Sequence, residues 1–215
     1  MIVTIIYFCI KSQKKDRKYK NKLIHIKYII FINKMNKDNN NEIILKKLDT
    51  NHFSIKLELI NKNNLDISKL INTNLFKLIG TINKDVIERV EIINNISESE
   101  VDLLYVFKRF GKELGLSQKY MHIKSLLIRE KNNFYIKNYS IPYNSQIGFD
   151  CIKNDFGYLK IEEKENNVYE VSYEFKMTIE EDLPSYMENI IGNLMKNIFI
   201  NFKTFIEKTY NNINE

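Results

Sequence analysis

Strict alternation of apolar and polar residues changes to helical spacing near the C-terminal end of the chain. Residues 169–179 place every second side chain on one apolar face, namely Tyr169, Val171, Tyr173, Phe175, Met177 and Ile179. A period of two predicts a half-buried strand. From 184 to 209 the apolar residues recur at i, i+3 and i+4, which predicts a helix of roughly 38 Å at about 1.5 Å per residue. Pro184 suits its first turn because the missing N–H would have no partner there.

The part of the chain before this helix predicts further strands. Residues 52–60 alternate, and residues 65–80 have near-helical spacing that ends at Gly80, which indicates one broken helix or two short ones. Apolar segments separated by short polar turns then indicate strands at 86–93, 101–110, 121–130, 134–141, 148–153 and 157–164. We predict an α+β helix-grip fold, in which a curved antiparallel meander wraps around one long C-terminal helix.

The first 34 residues differ from the rest of the chain in charge. They hold nine basic residues and one acidic residue, a net charge of +8, which leaves 24 basic and 26 acidic residues, a net charge of −2, for residues 35–215. Three interpretations stay open: a targeting or membrane-surface segment, an extra strand at 23–32, or translation that starts at Met35. We expect these parts: a variable or disordered extension at 1–41, one domain at 42–210 and a tail at 211–215.

Composition and charge exclude several classes of function. Because the net charge of +6 comes from the first 34 residues, no basic stripe remains elsewhere to follow a phosphate backbone, and we expect no nucleic-acid partner. The longest apolar run, at residues 1–10, is about half the roughly 20 residues that a spanning helix needs. Cys9 and Cys151 are too few for a disulfide framework or a zinc site, which favours a reduced, cytoplasmic location. We expect a monomer.

Two local motifs resemble those of a known family. The sequence LSQKY at 116–120 stands where START domains carry S-x-R-D, and the strand that follows the next turn ends in their S-I pattern. The sequence DLPSYMEN at 182–189 is similar to the G-x-I-P-x-W-L-V-N opening of their terminal helix. Tyr120 replaces the acid, and Tyr186 replaces the tryptophan. Over residues 52–210 the element order resembles the START-like superfamily, which includes Bet v 1, polyketide cyclases and StAR-related lipid transfer domains.

The resemblance implies an apolar ligand space between the sheet and the terminal helix. The side chains expected to line this space are Tyr105, Phe107, Tyr173, Phe175, Met177, Met187, Ile191, Met195, Ile198 and Phe202. Arg109 is the candidate for orienting a polar lipid head, and its alternative is a solvated strand end. The loop 142–148 falls where START-like domains carry a gate, here Pro142, Tyr143 and Asn144, and its alternative is an ordinary turn. For every lining residue the alternative is a filled core.

The sequence contains no constellation typical of catalysis or of a metal site. His25, His52 and His122 fall on separate predicted elements, and Cys151 has no histidine near it. We therefore expect no catalytic residue, metal or cofactor. The predicted function is non-enzymatic binding of a lipid or other hydrophobic small molecule, with transfer between membranes through transient membrane contact. Two alternatives stay open: a START-like module that binds a protein partner, of the chaperone or quinone-chaperone type, and a cyclase- or hydrolase-like enzyme.

Overall fold

The structure is a computed structural model that describes most of the chain from residue 43 onwards. The described residues are 43–62, 64–109, 117–142, 148–165, 167–179 and 185–208, with the backbone alone at 179, 185–187, 190 and 208. The predictions for the extension at 1–41, its strand at 23–32 and the tail at 211–215 lie outside these residues.

In the described residues eight strands form one curved, mainly antiparallel sheet. They are β1 (Ile43–Asp49), β2 (His52–Ile60), β3 (Ile87–Asn95), β4 (Glu100–Phe107), β5 (Lys119–Glu130), β6 (Asn133–Ser140), β7 (Asp150–Glu165) and β8 (Val168–Ile179). Their order across the sheet is β1-β2-β8-β7-β6-β5-β4-β3. The meander therefore runs from β3 to β8, and the hairpin of β1 and β2 extends it by pairing with β8.

Three helices accompany the sheet in the described part of the chain: α1 (Ile67–Leu70), α2 (Leu75–Ile82) and α3 (Ser185–Lys208). The Asp66 carboxylate caps α1, accepting a hydrogen bond from the backbone N–H of Ser68 at 3.1 Å. Of the two predicted alternatives, one broken helix or two short ones, α1 and α2 confirm the second. The bounds of α3 agree with the predicted terminal helix.

The inner face of the sheet is the face that carries the buried apolar side chains and packs against α3. Register makes this face continuous: Phe53 of β2 lies opposite Phe175 of β8, and Ile161 of β7 lies opposite both Val171 of β8 and Phe134 of β6. Phe199, Phe202 and Ile206 of α3 belong to the same buried cluster. Alternation along each strand thus decides which side chains reach the core.

Glycine brings α3 close to the edge of the sheet. A Cβ at Gly192 would lie 2.9 Å from Cε1 of Phe53 and 3.4 Å from Cδ2 of Leu45. A helix backbone this near to β1 and β2 leaves no room for a larger residue at that position. The helix therefore rests on the β1–β2 hairpin.

Two strand predictions were wrong. The separate strands predicted at 148–153 and 157–164 are one strand, β7, in which the segment expected to be a turn is a β-bulge between Asn154 and Phe156. A bulge adds one residue and bends the strand while pairing continues on both sides. The strand β1 was not predicted at all, because IILKKLD buries only Ile43 fully and its other positions are exposed or half-buried.

The bulge bends β7 beyond the end of β6. Past Ser140 the first residues of β7 pair with β5 in parallel, with Lys119 opposite Asp150 and Tyr120 opposite Cys151. The backbone N–H of Asn154 donates to Oγ of Ser140 at 2.6 Å and so joins the bulge to the last residue of β6. This closure draws three strands together at one place on the inner face.

Candidate functional site

The structure brings most of the predicted lining residues together in the interior. Those with described side chains all belong to two adjoining apolar clusters: Tyr105, Phe107, Tyr173, Phe175, Met177, Ile191, Met195, Ile198 and Phe202. The side chain of Met187 lies outside the described residues. Tyr105 and Met195 belong to both clusters, so they lie where the clusters meet.

The lining residues differ in how much of their surface they bury. Phe175, at 0% exposure, and Phe202, at 6%, are core residues. Tyr105 and Phe107 of β4, with Ile191 and Met195 of α3, are only half-buried although they pack on the same clusters. These four side chains therefore keep part of their surface exposed where β4 and α3 pack on the same clusters.

Of the residues predicted to orient a polar head and to form a gate, those that the structure describes are not among the residues of these apolar clusters. Arg109 is exposed and follows the end of β4. Pro142 is also exposed, and its carbonyl oxygen lies 3.2 Å from Nδ1 of His122. Tyr143 and Asn144 lie outside the described residues. Their roles in binding and gating stay predictions.

Tyr105 is the most unusual of the half-buried residues. Its ring stacks on Phe107 with a centroid distance of 6.5 Å. Burial raises the pKa of its phenol far above the usual range, and the nearby Tyr173 phenol raises it further. The hydroxyl makes no hydrogen bond to any residue that the structure describes. A hydroxyl that bonds no described residue and stands on a half-buried side chain is suited to meeting a bound molecule.

A cluster of polar side chains interrupts the apolar inner face. Ser125 of β5 donates to Oδ1 of Asn138 on β6 at 2.6 Å. Nδ2 of Asn154 on β7 donates to the backbone carbonyl of Asn138 at 3.2 Å. Ser125 and Asn154 are buried, at 1% and 2% exposure. We call Ser125, Asn138, Asn154 and Tyr173 the polar cluster.

Tyr173 joins the polar cluster from β8. Burial raises the pKa of its phenol to about 12, although hydrogen bonding with the Asn138 side chain opposes part of the rise. Gly157 of β7 makes room for this phenol, because a Cβ there would lie 2.8 Å from the Tyr173 hydroxyl and 3.2 Å from Nδ2 of Asn154. The Tyr173 ring also packs on Phe199 of α3, with a centroid distance of 5.3 Å. The cluster therefore lies directly beneath the helix.

Sequence reasoning found Tyr173 but missed the other three members of the polar cluster. Asn138 shares its strand face with the buried Phe134 and Ile136, so an amide at an inward position of the alternation was an available signal. Asn154 gave no such signal, because the bulge that turns it inward was interpreted as a turn.

The described part of the chain shows neither a group of metal ligands nor a membrane-spanning helix. Among the residues that the structure describes, no three His, Cys, Asp or Glu side chains come together as metal ligands would. Within the same ranges, no helix combines the length and apolarity needed to cross a membrane.

Comparison with known proteins identifies the fold. No protein-family model and no curated protein matches the sequence. The structure is similar to human STARD10, with 10% identity and a TM-score of 0.58 over 86% of this chain and 82% of that one. It is similar to the human StarD13 lipid transfer and protein localization domain, with 8% identity and a TM-score of 0.58 over 84% and 96%. A STAR-related lipid transfer protein from Xanthomonas axonopodis gives 9% identity and a TM-score of 0.54 over 78% and 100%. The chain therefore has a START-like, helix-grip fold, as the resemblance predicted.

Proposed function

We propose that the chain binds a lipid or another hydrophobic small molecule between the inner face of its sheet and α3. We further propose that it works as a cytoplasmic monomer, without an enzymatic step, and transfers the molecule through transient contact with membranes. The START-like fold supports this function, because similar structures include the human StarD13 lipid transfer domain and the human StAR-related lipid transfer protein 5. The half-buried apolar side chains on β4 and α3 support the same place of binding.

One observation carries the proposal. Tyr105 lies deep enough for burial to raise the pKa of its phenol, yet its side chain is half-buried and its hydroxyl has no partner among the described residues. In a filled core, a phenol at this depth would be enclosed and hydrogen-bonded. An interior space beside β4 accounts for both features, and Met195 forms its opposite wall on α3.

The test is to fill the space from the helix. Met195→Trp adds bulk between the two walls, so the affinity for dodecylpyrene, measured by its fluorescence, should fall about tenfold or more, equivalent to about 1.4 kcal/mol. Asn189→Trp is the matched control, because Asn189 lies on the same helix with an exposed side chain. Equal loss in both variants, or no binding of dodecylpyrene by the folded wild-type protein, would contradict the proposal.

A second candidate is the protein-partner module, and the outer face of the sheet favours it. Tyr139, Phe156 and Tyr158 are exposed at 45%, 36% and 38%, and they project from β6 and β7 away from the core. Tyr158 stacks on Tyr135 with a centroid distance of 6.2 Å. Exposed aromatic groups that adjoin each other are typical of contact surfaces. A protein that binds no hydrophobic probe would make this the preferred function.

A further inference from the structure

The polar cluster is neutral, although it lies in an apolar interior. Two amides and two hydroxyl groups form it, the Ser140 hydroxyl adjoins it on β6, and Ile123, Ile136 and Leu159 are apolar inward side chains on the same strands. Burying polar groups is unfavourable unless each finds a hydrogen-bond partner. Most polar atoms of the cluster form hydrogen bonds within it, so a polar atom that forms none indicates where a partner from outside could bind.

That atom is Oδ1 of Asn154. It is buried and has no hydrogen-bond partner among the described residues. The orientation of the amide is fixed, because Nδ2 lies 3.2 Å from the Asn138 carbonyl oxygen, which can only accept. Oδ1 therefore points away from that carbonyl. The side chain lies on the inner face, since Asn154 is opposite the buried Met177.

We infer that Oδ1 of Asn154 accepts a hydrogen bond from the polar end of the hydrophobic ligand, and that this end is an uncharged hydroxyl group. This inference rests on the proposed function and names the class of ligand, a long-chain or polycyclic alcohol. Tyr105 packs on the same apolar cluster as Tyr173, and its hydroxyl has no partner among the described residues, so it is a second group that can donate to or accept from the same hydroxyl.

The chemistry of the cluster selects against charged ends. A phosphate or carboxylate would meet the lone pairs of Oδ1, and the cluster contains no cationic side chain to compensate for its lost hydration. An ammonium group could donate to Oδ1, but it would lose its hydration without a carboxylate beside it. A hydroxyl group satisfies the acceptor without bringing a charge into the interior.

The experiment compares three probes that differ only at one end. Pyrenedodecanol, dodecylpyrene and pyrenedodecanoic acid carry a hydroxyl, a methyl and a carboxylate group, and pyrene fluorescence measures their binding to the full-length protein at neutral pH. We expect the alcohol to bind about tenfold more tightly than either of the others, the ratio expected for one hydrogen bond to a buried acceptor.

Two variants assign the preference to named atoms. Asn154→Leu replaces the amide by an apolar group of similar size, so the alcohol should lose its advantage over dodecylpyrene. Tyr105→Phe removes a hydroxyl that makes no hydrogen bond within the described chain, so the protein should stay folded while the advantage shrinks by several-fold. Tyr139→Phe, on the exposed outer face, is the control and should leave all three affinities unchanged.

Each outcome decides between the inferences. An advantage of the alcohol that both variants reduce supports the hydroxyl site. Equal affinity for the alcohol and dodecylpyrene, or preference for the carboxylate, overturns the hydroxyl site but leaves the proposed hydrophobic binding intact. Failure of all three probes to bind overturns both. If Asn154→Leu does not fold, an unchanged preference in Tyr105→Phe overturns the pairing of the two groups.

Discussion

Gly157 shows how one absent side chain shapes the interior at the scale of a residue. We predict that Gly157→Ala lowers the free energy of unfolding by about 1–3 kcal/mol, because the new methyl group would lie 2.8 Å from the Tyr173 hydroxyl and must displace it. Chemical denaturation followed by circular dichroism measures this change. Alanine also lowers the conformational entropy of the unfolded chain, and this stabilising effect offsets less than about 1 kcal/mol of the loss.

Tyr173→Phe provides the background that tests this cause. It removes the oxygen atom that a Cβ at residue 157 would contact first. In this background, Gly157→Ala should therefore lower the free energy of unfolding by less, or leave it unchanged. An equal loss of stability in both backgrounds would show that the phenol is not what limits residue 157.

The C-terminal half of α3 is fixed to β2 by a buried ion pair. Lys203, at 4% exposure, donates through Nζ to the Glu58 carbonyl oxygen at 2.6 Å and to Oε1 of Glu207 at 2.8 Å. The same carboxylate oxygen accepts the backbone N–H of Ile60 at 2.8 Å. One carboxylate thus satisfies both a buried cation and a strand N–H, which holds the helix in register with the sheet.

We predict that Glu207→Gln lowers the free energy of unfolding by about 2–4 kcal/mol. It removes the negative charge that Glu207 places 2.8 Å from the buried Lys203 ammonium, and taking one partner out of a buried ion pair is strongly destabilising. Glu170→Gln is the matched control, because Glu170 and Lys164 form an exposed pair with side-chain exposures of 49% and 48%. That control should change the stability by less than about 1 kcal/mol. Similar urea midpoints for the two variants would contradict the role of the ion pair.

Strands and helices with a regular repeat of apolar residues were predictable from the sequence, and elements without such a repeat were not. The alternation in β8 and the helical spacing in α3 each extend over many residues, so single exceptions do not hide them. Among the described strands β1 pairs with β2 alone, and it faces solvent through Lys46 and Lys47, so little of its pattern reflects burial. In β7 the bulge shifts the period at Asn154, which imitates a turn.

The site is a property of the whole molecule, and for that reason the sequence predicted only part of it. The apolar wall was predictable, because the alternation of apolar and polar residues within each strand identifies the side chains that face inward. The polar cluster takes one residue from each of four strands, and only the register between strands makes Ser125, Asn138, Asn154 and Tyr173 neighbours. Sequence reasoning therefore chose Arg109, a polar residue local to the apolar pattern, which the structure leaves exposed.

Binding inside the fold has a consequence for the stability of the whole protein. A ligand that binds the folded chain alone stabilises it by about 2.7 kcal/mol at a free concentration about 100 times Kd. For a chain of this size we therefore expect pyrenedodecanol to raise the Tm by roughly 5–11 °C. Differential scanning calorimetry measures this shift. With an affinity about tenfold lower, Met195→Trp should keep its cooperative transition and show only about half of the shift, whereas Asn189→Trp should keep both in full. A probe whose fluorescence saturates without moving the Tm of the wild-type protein would be bound to a surface that survives unfolding, and the interior between β4 and α3 would not be its site.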